Sequence, residues 1–466
     1  LPKLFDIVAD ELTSNSASEI TELIRTGSVS SVEVVEAYLR RHEELNPALN
    51  AIVTIAPAVL DRAREKDVEL ARGKIAGPLH GLPITIKDTI DTEGIRTTYG
   101  SRLFAENVPK QDASVVARLK AAGAIILAKT NVPEMASPYE TDNPIFGRTN
   151  NPYDVTRTPG GSSGGEAAAI AAKLSPAGVG SDLSGSLRVP AHFCGIVALK
   201  PTTGLIPMDG HVPSATGTLA IGVCVGPMAA RVKDLALLFA SIAGKSEDAS
   251  WQRADRERGR VACYADDGVS PVDHDVLKAI GKASDILIDA GYDVRQETPP
   301  GFTEGQRLWI ELFSRSAREQ LREIYRGREH EAGPLVSPDL DPNYKPTLEN
   351  KVEAAEAVAK AVVERERWRE ELLRWMKTTP LIVAPVCATP AFEHGAMRVD
   401  VNGESVSIFR SCSYSQTVNV FGLPAVVVPV ARTDKGLPIG VQIIGRPFQE
   451  AEVLAAAAII EASAGF

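Results

Sequence analysis

Cysteine is scarce in this chain. Cys194, Cys224, Cys263, Cys387 and Cys412 are the only five among 466 residues, an odd number with no C-x-x-C pair. That count speaks against a disulfide framework and a thiolate-held structural zinc, and it predicts a reducing, cytoplasmic compartment. Positive charge is in deficit: 50 Lys and Arg against 60 Asp and Glu leave a net charge of −10. An acidic surface repels phosphate backbones, so nucleic acid is not expected as a partner. No apolar run reaches the ~18 residues that a membrane span needs. The opening LPKLFDIVADEL lacks a basic stretch leading into an apolar one, so neither a secretory leader nor a transmembrane segment is expected. Histidine stops at seven, with no HExxH and no clustered carboxylates. Neither a metal nor another cofactor is therefore expected.

What is present has the make-up of an ordinary globular protein, with 44% hydrophobic and 24% charged residues. Helical spacing marks Ser18–Leu45, broken into two helices at Gly27–Ser31 with Ser30 or Ser31 as N-cap, and a third helix over Ala56–Arg72. Short apolar runs then read as buried strands: Leu82–Ile86, Ala124–Ala128, Val197–Leu199, Leu381–Ala384, Ala425–Val430 and Val441–Ile444. Helical stretches over Ser114–Ala122, Gly165–Lys173 and Val232–Ala243 lie between several of them. This alternation predicts an α/β fold: one large domain around a central mixed, largely parallel sheet with helices on both faces. Within it, residues 1–75 are expected to form a helical segment packing on the core, 76–245 the core itself, and 246–466 the part that completes the same sheet and covers a pocket. Lys245–Arg260 reads as a surface connection, Gly327–Glu349 as a polar loop and Val352–Lys377 as a long charged helix.

Three motifs carry chemistry. GLPITIKD ends an apolar strand in Lys87, where desolvation can lower an amine's pKa until it serves as a base. Taken alone, a lysine at a strand end is usually a solvated charge. PGGSSGGE, with Ser162 and Ser163, opens into a helix over Ala167–Lys173 whose first N–H groups can face a negative centre. A phosphate loop would need Lys and then Ser or Thr after the last glycine, where Glu166 stands. GSDLSGSLRVPA holds Ser186 in a Gly/Ser turn able to converge backbone N–H groups on one point, with Asp182 and Arg188 flanking it as a pair. His80, His192 and His211 have no partner that suggests a Ser-His-Asp triad, so Lys87 is the available base for a nucleophilic serine.

These three motifs, in this order and spacing, resemble the amidase signature family, with Ser162 and Ser186 separated by 24 positions and Lys87 and Ser162 by 75. The match covers about Ser18–Ala243 and, more weakly, Phe421–Pro447. The resemblance implies the amidase signature fold and a Ser–Ser–Lys triad that hydrolyses an amide through an acyl-enzyme. Ser186 would attack the carbonyl; Ser162, in a cis peptide in the family, would relay the proton to neutral Lys87. Backbone N–H groups of Leu183, Ser184, Gly185 and Ser186 would form an oxyanion hole, with Ser163, Asp182 and Arg188 as support. Met135, Ala136, Ser137 and Leu183 would line the acyl pocket, and parts of Glu304–Pro346 would cover it. The implied partner is a small-molecule amide, and a homodimer is the assembly expected by analogy.

One departure stands out: Ser184 occupies a position where the family has glycine. If the turn needs positive φ there, serine costs on the order of 1–2 kcal/mol. Two other uses of the same site remain open. One is the glutaminase component of a tRNA-dependent amidotransferase, its A-type chain, which takes ammonia from glutamine. That component carries a Leu-Asp-Gln-Ile-Gly-Pro-like stretch where this chain has Leu219-Ala-Ile-Gly-Val-Cys-Val-Gly-Pro227, and the missing Asp-Gln pair disfavours a glutaminase. The other is a non-catalytic binding component with a worn site.

Overall fold

A computed structural model describes residues 11–137, 139–244, 258–341 and 351–466. Most of the expected connection at 245–260, and residues 342–349 of the expected loop, lie outside these. Thirteen strands form among the described residues: β1 (Ile52–Ile55), β2 (Pro83–Lys87), β3 (Ile125–Thr130), β4 (Ala177–Asp182), β5 (Val197–Lys200), β6 (Cys224–Ala229), β7 (Arg260–Cys263), β8 (Asp293–Gln296), β9 (Leu381–Pro385), β10 (Arg398–Val401), β11 (Glu404–Ser407), β12 (Ala425–Arg432) and β13 (Pro438–Ile444). Eleven build one mixed sheet in the order β1-β3-β2-β4-β6-β5-β12-β13-β9-β7-β8, and β10 and β11 form a separate hairpin. Parallel pairing is concentrated in two blocks, β3·β2·β4 and β9·β7·β8. The run from β4 through β6, β5, β12 and β13 to β9 is antiparallel.

Both faces of the sheet are buried, and the alternation along single strands shows it. Val426 and Val428 enter one core while Val427, between them, enters another. Val197 and Leu199 divide from Ala198 in the same way. A two-residue side-chain period requires this whenever helices cover both faces. The larger core includes residues of helices Val232–Ala243, His274–Asp289 and Glu450–Ala464; the smaller includes helix Gly164–Ala171 and helix Arg188–Cys194. The last two sheet strands in sequence, β12 and β13, sit inside the sheet, so both ends of the chain complete one core.

The N-terminal helices form where their caps place them. Ser30 accepts a hydrogen bond from the Glu33 N–H at 3.1 Å, and the Glu33 carboxylate accepts one in return from the Ser30 N–H at 2.8 Å. This reciprocal box starts helix Ser31–Leu49. Two central strands escape sequence reading. β4 reads AGVGSD and β6 reads CVGPMA, rich in residues that strands disfavour. Tertiary packing overrides propensity here: a Cβ at Gly180 would come within 2.5 Å of Ser163 Oγ, so close approach to the next layer selects glycine. Among the described residues, no helix is long and apolar enough to cross a membrane.

Candidate active site

β2 and β4 are parallel neighbours, with Thr85 opposite Gly178 and Ile86 opposite Val179. Their C-terminal ends therefore reach the same edge of the sheet, where α/β folds open their crevices. Lys87 closes β2, and Ser181 and Asp182 close β4. Lys87 has no exposed surface, and its side-chain nitrogen lies 2.6 Å from Ser162 Oγ and 3.0 Å from Ser181 Oγ. Burial lowers the pKa of Lys87 to about 7, against the opposing pull of Asp182 and Glu166. An amine so placed is available in its neutral form and bonded to a hydroxyl whose proton it can take.

The two serine motifs are joined through their backbones. The Ser163 N–H donates to the Ser186 carbonyl at 3.1 Å, and Ser163 Oγ bridges the Ser181 carbonyl and N–H at 3.3 and 3.4 Å. The Gly161–Ser162 peptide bond is cis. Ser162, Ser181 and Ser186 line one cavity of about 270 Å³ together with Met135, Ala136, Ser137, Leu183 and Ser184. All four residues expected at the acyl pocket are thus on its wall. Trp309, Ala317, Arg318, Leu321 and Asp339 line it from within Glu304–Pro346, of which 342–346 lie outside the described residues. Arg318 and Asp339 pair at 3.0 Å on that side.

The turn between Asp182 and Arg188 is held on all sides. Both fully buried, Asp182 and Arg188 form a two-pronged ion pair, with Nε–Oδ2 and Nη2–Oδ1 each at 3.0 Å. Burial alone would raise the Asp182 pKa, but the Arg188 guanidinium holds it well below the usual carboxylate range. Arg188 also reaches Gln442 at 2.9 Å, Asn419 at 2.6 Å and the Ser415 carbonyl at 2.9 Å. The Leu183 carbonyl accepts from the Trp309 indole and the Ser184 carbonyl from the Tyr139 hydroxyl, both at 2.9 Å.

Two details differ from the sequence reading. Gly185 was expected to offer its N–H to an oxyanion, but that N–H donates to Asp182 Oδ1 at 2.8 Å. The carboxylate at the foot of the turn takes it up, leaving the N–H groups of Leu183, Ser184 and Ser186 with no protein acceptor among the described residues. The positive φ of the turn, +110°, falls on Gly185, where a Cβ would come within 2.7 Å of Ser415 Cβ. Ser184 is not in that region of backbone space, so it adds a hydroxyl to the cavity wall without the expected cost.

Histidine needs a correction as well. His80 packs in its turn, its ring between the Ala76 N–H and the Lys66 carbonyl, and His192 is enclosed by Gly440 and Thr389. His211 does join the site: Nε2 lies 2.8 Å from the Ser181 hydroxyl that Lys87 also contacts. Nothing in the segment DGHVP marks this residue, because its partner lies 30 positions away. Ser181 and Tyr139 were missed for the same reason.

A strained segment borders the cavity. Met135 and Ala136 are both left-handed, with φ of 52° and 57°, costing about 1–2 kcal/mol each. The Met135 N–H donates to the Tyr99 carbonyl at 2.9 Å, and neighbouring Glu134 accepts from the Tyr325 hydroxyl at 2.6 Å and the Gly333 N–H at 2.8 Å. This carboxylate ties Tyr325 and Gly333 to the cavity wall at Met135.

These features, a buried lysine on hydroxyls beside a clamped Gly/Ser turn, sit on an eleven-stranded mixed sheet. The chain belongs to the amidase family, whose model matches residues 33–454. It is 34% identical to the A-type chain of the glutamyl-tRNA(Gln) amidotransferase of Carboxydothermus hydrogenoformans, over 98% of each chain. Among solved structures it resembles an amidase (27% identity, TM-score 0.85, 97% of this chain and 100% of that one). It also resembles the A-type chain of the glutamyl-tRNA(Gln) amidotransferase of Thermotoga maritima (26%, TM-score 0.79, 98% and 96%).

Proposed function

We propose that this chain cleaves amide C–N bonds through an acyl-enzyme on Ser186. The observation that carries the reading is the buried Lys87 amine 2.6 Å from the Oγ of Ser162, a serine that lines one cavity together with Ser186. Ser186 Oγ attacks the amide carbonyl and passes its proton to Ser162, whose own proton goes to neutral Lys87. The developing oxyanion accepts from the N–H groups of Leu183, Ser184 and Ser186, while Asp182, Arg188, Ser163 and the Gly185 N–H hold the turn. The protons return by the same path to the leaving nitrogen. Water then cleaves the ester and regenerates Ser186. Met135, Ala136, Ser137 and Leu183 contact the acyl group. The test is labelling with a fluorophosphonate and peptide mapping of the adduct. A single adduct on Ser186, absent in Lys87→Ala, is expected; labelling elsewhere, or unchanged labelling in Lys87→Ala, overturns the reading.

Two uses of this chemistry are distinguished by donor and partner. Likeness to amidotransferase A-type chains at 30–34% identity over nearly the full length supports a chain that releases ammonia for partner proteins. The apolar side of the cavity, built from Met135, Leu183, Leu219, Val223, Trp309 and Phe409, supports a free amidase acting on an apolar acyl group. Ammonia release from glutamine that rises when the other amidotransferase components are added selects the first. Turnover of aryl or alkyl amides by the chain alone selects the second.

A further inference from the structure

Lys87 contacts two hydroxyls, Ser162 and Ser181, and a neutral amine has only one lone pair. Something must decide which hydroxyl receives it. His211 sits behind Ser181. Its Nδ1 lies 2.9 Å from the Pro213 carbonyl oxygen, and its Nε2 lies 2.8 Å from Ser181 Oγ. A carbonyl oxygen only accepts, so Nδ1 carries the proton, and in a neutral ring Nε2 is then the acceptor. The ring is neutral at ordinary pH, because burial and the neighbouring Lys87 push its pKa down to about 4. The Ser181 proton is thereby committed to Nε2. Ser181 can only accept from Lys87, 3.0 Å away, which leaves the amine's lone pair for Ser162 at 2.6 Å.

We propose that His211 is a positioning residue of this site: by holding the Ser181 proton it sets the direction of the His211–Ser181–Lys87–Ser162 chain and keeps the Lys87 lone pair turned to Ser162. The inference rests on Lys87 acting as the base. No proton leaves His211 in the cycle; it orients, and the transfer runs between Ser186, Ser162 and Lys87. Without an acceptor behind it, the Ser181 hydroxyl is free to donate to the neutral amine and so compete with Ser162.

The placement of His211 is tied to the lysine strand. His211 bridges Ile90, the Val212 N–H donates to the Thr89 carbonyl at 2.9 Å, and the Asp91 N–H donates to the Gly210 carbonyl at 2.8 Å. All three anchors follow closely on Lys87 in sequence. The charged groups acting on Lys87 are Asp182 and Glu166, and Lys87 itself acts on His211. Neither carboxylate hydrogen-bonds the imidazole, whose polar contacts among the described residues are Ser181 and Pro213.

The test compares His211→Leu, which removes the acceptor, with His211→Gln, whose side-chain oxygen can accept from Ser181. The readout is the fluorophosphonate labelling rate of Ser186 against pH. His211→Leu is expected to label about tenfold more slowly. Its acid limb should move to lower pH by about half a unit, since a protonated Lys87 loses the polarised chain that stabilises it. His211→Gln should label within about threefold of the wild type and keep its limb. Wild-type labelling by His211→Leu overturns the proposal, as does His211→Gln matching His211→Leu in rate with both keeping the wild-type limb, which would mean that the ring only fills space. Imidazole nitrogen NMR of the full chain decides independently of activity: a protonated Nδ1 with bare Nε2 supports the proposal, and a protonated Nε2 overturns it. Wild-type protein that takes no label counts against the Ser186 reading alone, and the tautomer still decides the role of His211.

Discussion

Lys87 and Arg188 are both basic side chains without exposed surface, one ending β2 and the other just beyond β4, and the fold treats them in opposite ways. Arg188 is met by a carboxylate, two side-chain amide oxygens and a carbonyl, so its charge is matched in place. Lys87 is met by two hydroxyls, with Asp182 and Glu166 acting without hydrogen-bonding it, and burial prevails. Two further buried lysines sharpen the contrast. Lys200 donates to the carbonyls of Pro201 and Leu423, and Lys129 to the Ile90 carbonyl and the Thr92 hydroxyl. Burial lowers the pKa of each, to about 8 for Lys129, but these partners include no serine of the cavity. A depressed pKa alone therefore does not make a base; the partner's chemistry does.

The largest effects expected are on activity. Ser186→Ala and Lys87→Ala should each lower amide turnover by about a thousandfold or more, measured on the substrate that a panel identifies. A single cooperative denaturation transition in each variant would show that the fold survives. Arg188→Met should instead act on stability, lowering it by about 3–5 kcal/mol because Asp182 is left buried without its partner. Denaturant titration reads this directly, and a neutral result would break the comparison.

Next is pH. Lys87 acts as a base only when neutral, so kcat/KM should fall as pH drops through about 7, the value to which burial lowers its pKa. Stability gives a second reading of the same group. Between about 7 and the ordinary lysine value of 10.5, the unfolded chain binds a proton that the folded one does not, so stability rises with pH across that window. Lys87→Met should flatten this rise in thermal or denaturant midpoints. The smallest effect is expected from Ser184→Gly: positive φ is needed at Gly185, not at residue 184, so turnover should change by less than about threefold.

Much of this molecule can be read along the chain. The Ser30–Glu33 box, the helix Val232–Ala243 and the strands bearing Ile84 and Val426 follow from capping, period and apolar runs, which act over a few residues. The three motifs also stand in the sequence, so Lys87, Ser162 and Ser186 could be singled out before any fold was known. Their use as a triad rests on the experiments above. Other features depend on residues that only folding brings together. β4 and β6 are strands because neighbours on both sides pair with them, against the preference of their Gly, Ser and Pro. Asp182 takes the Gly185 N–H because Arg188 and Asn419 fix its carboxylate, and Asn419 arrives from 237 positions away. His211 meets Ser181 only when the loop after β5 folds back over the end of β2. Local pattern sets which elements form and which side chains are available; burial and partner geometry decide which amine loses its proton and which hydroxyl faces it.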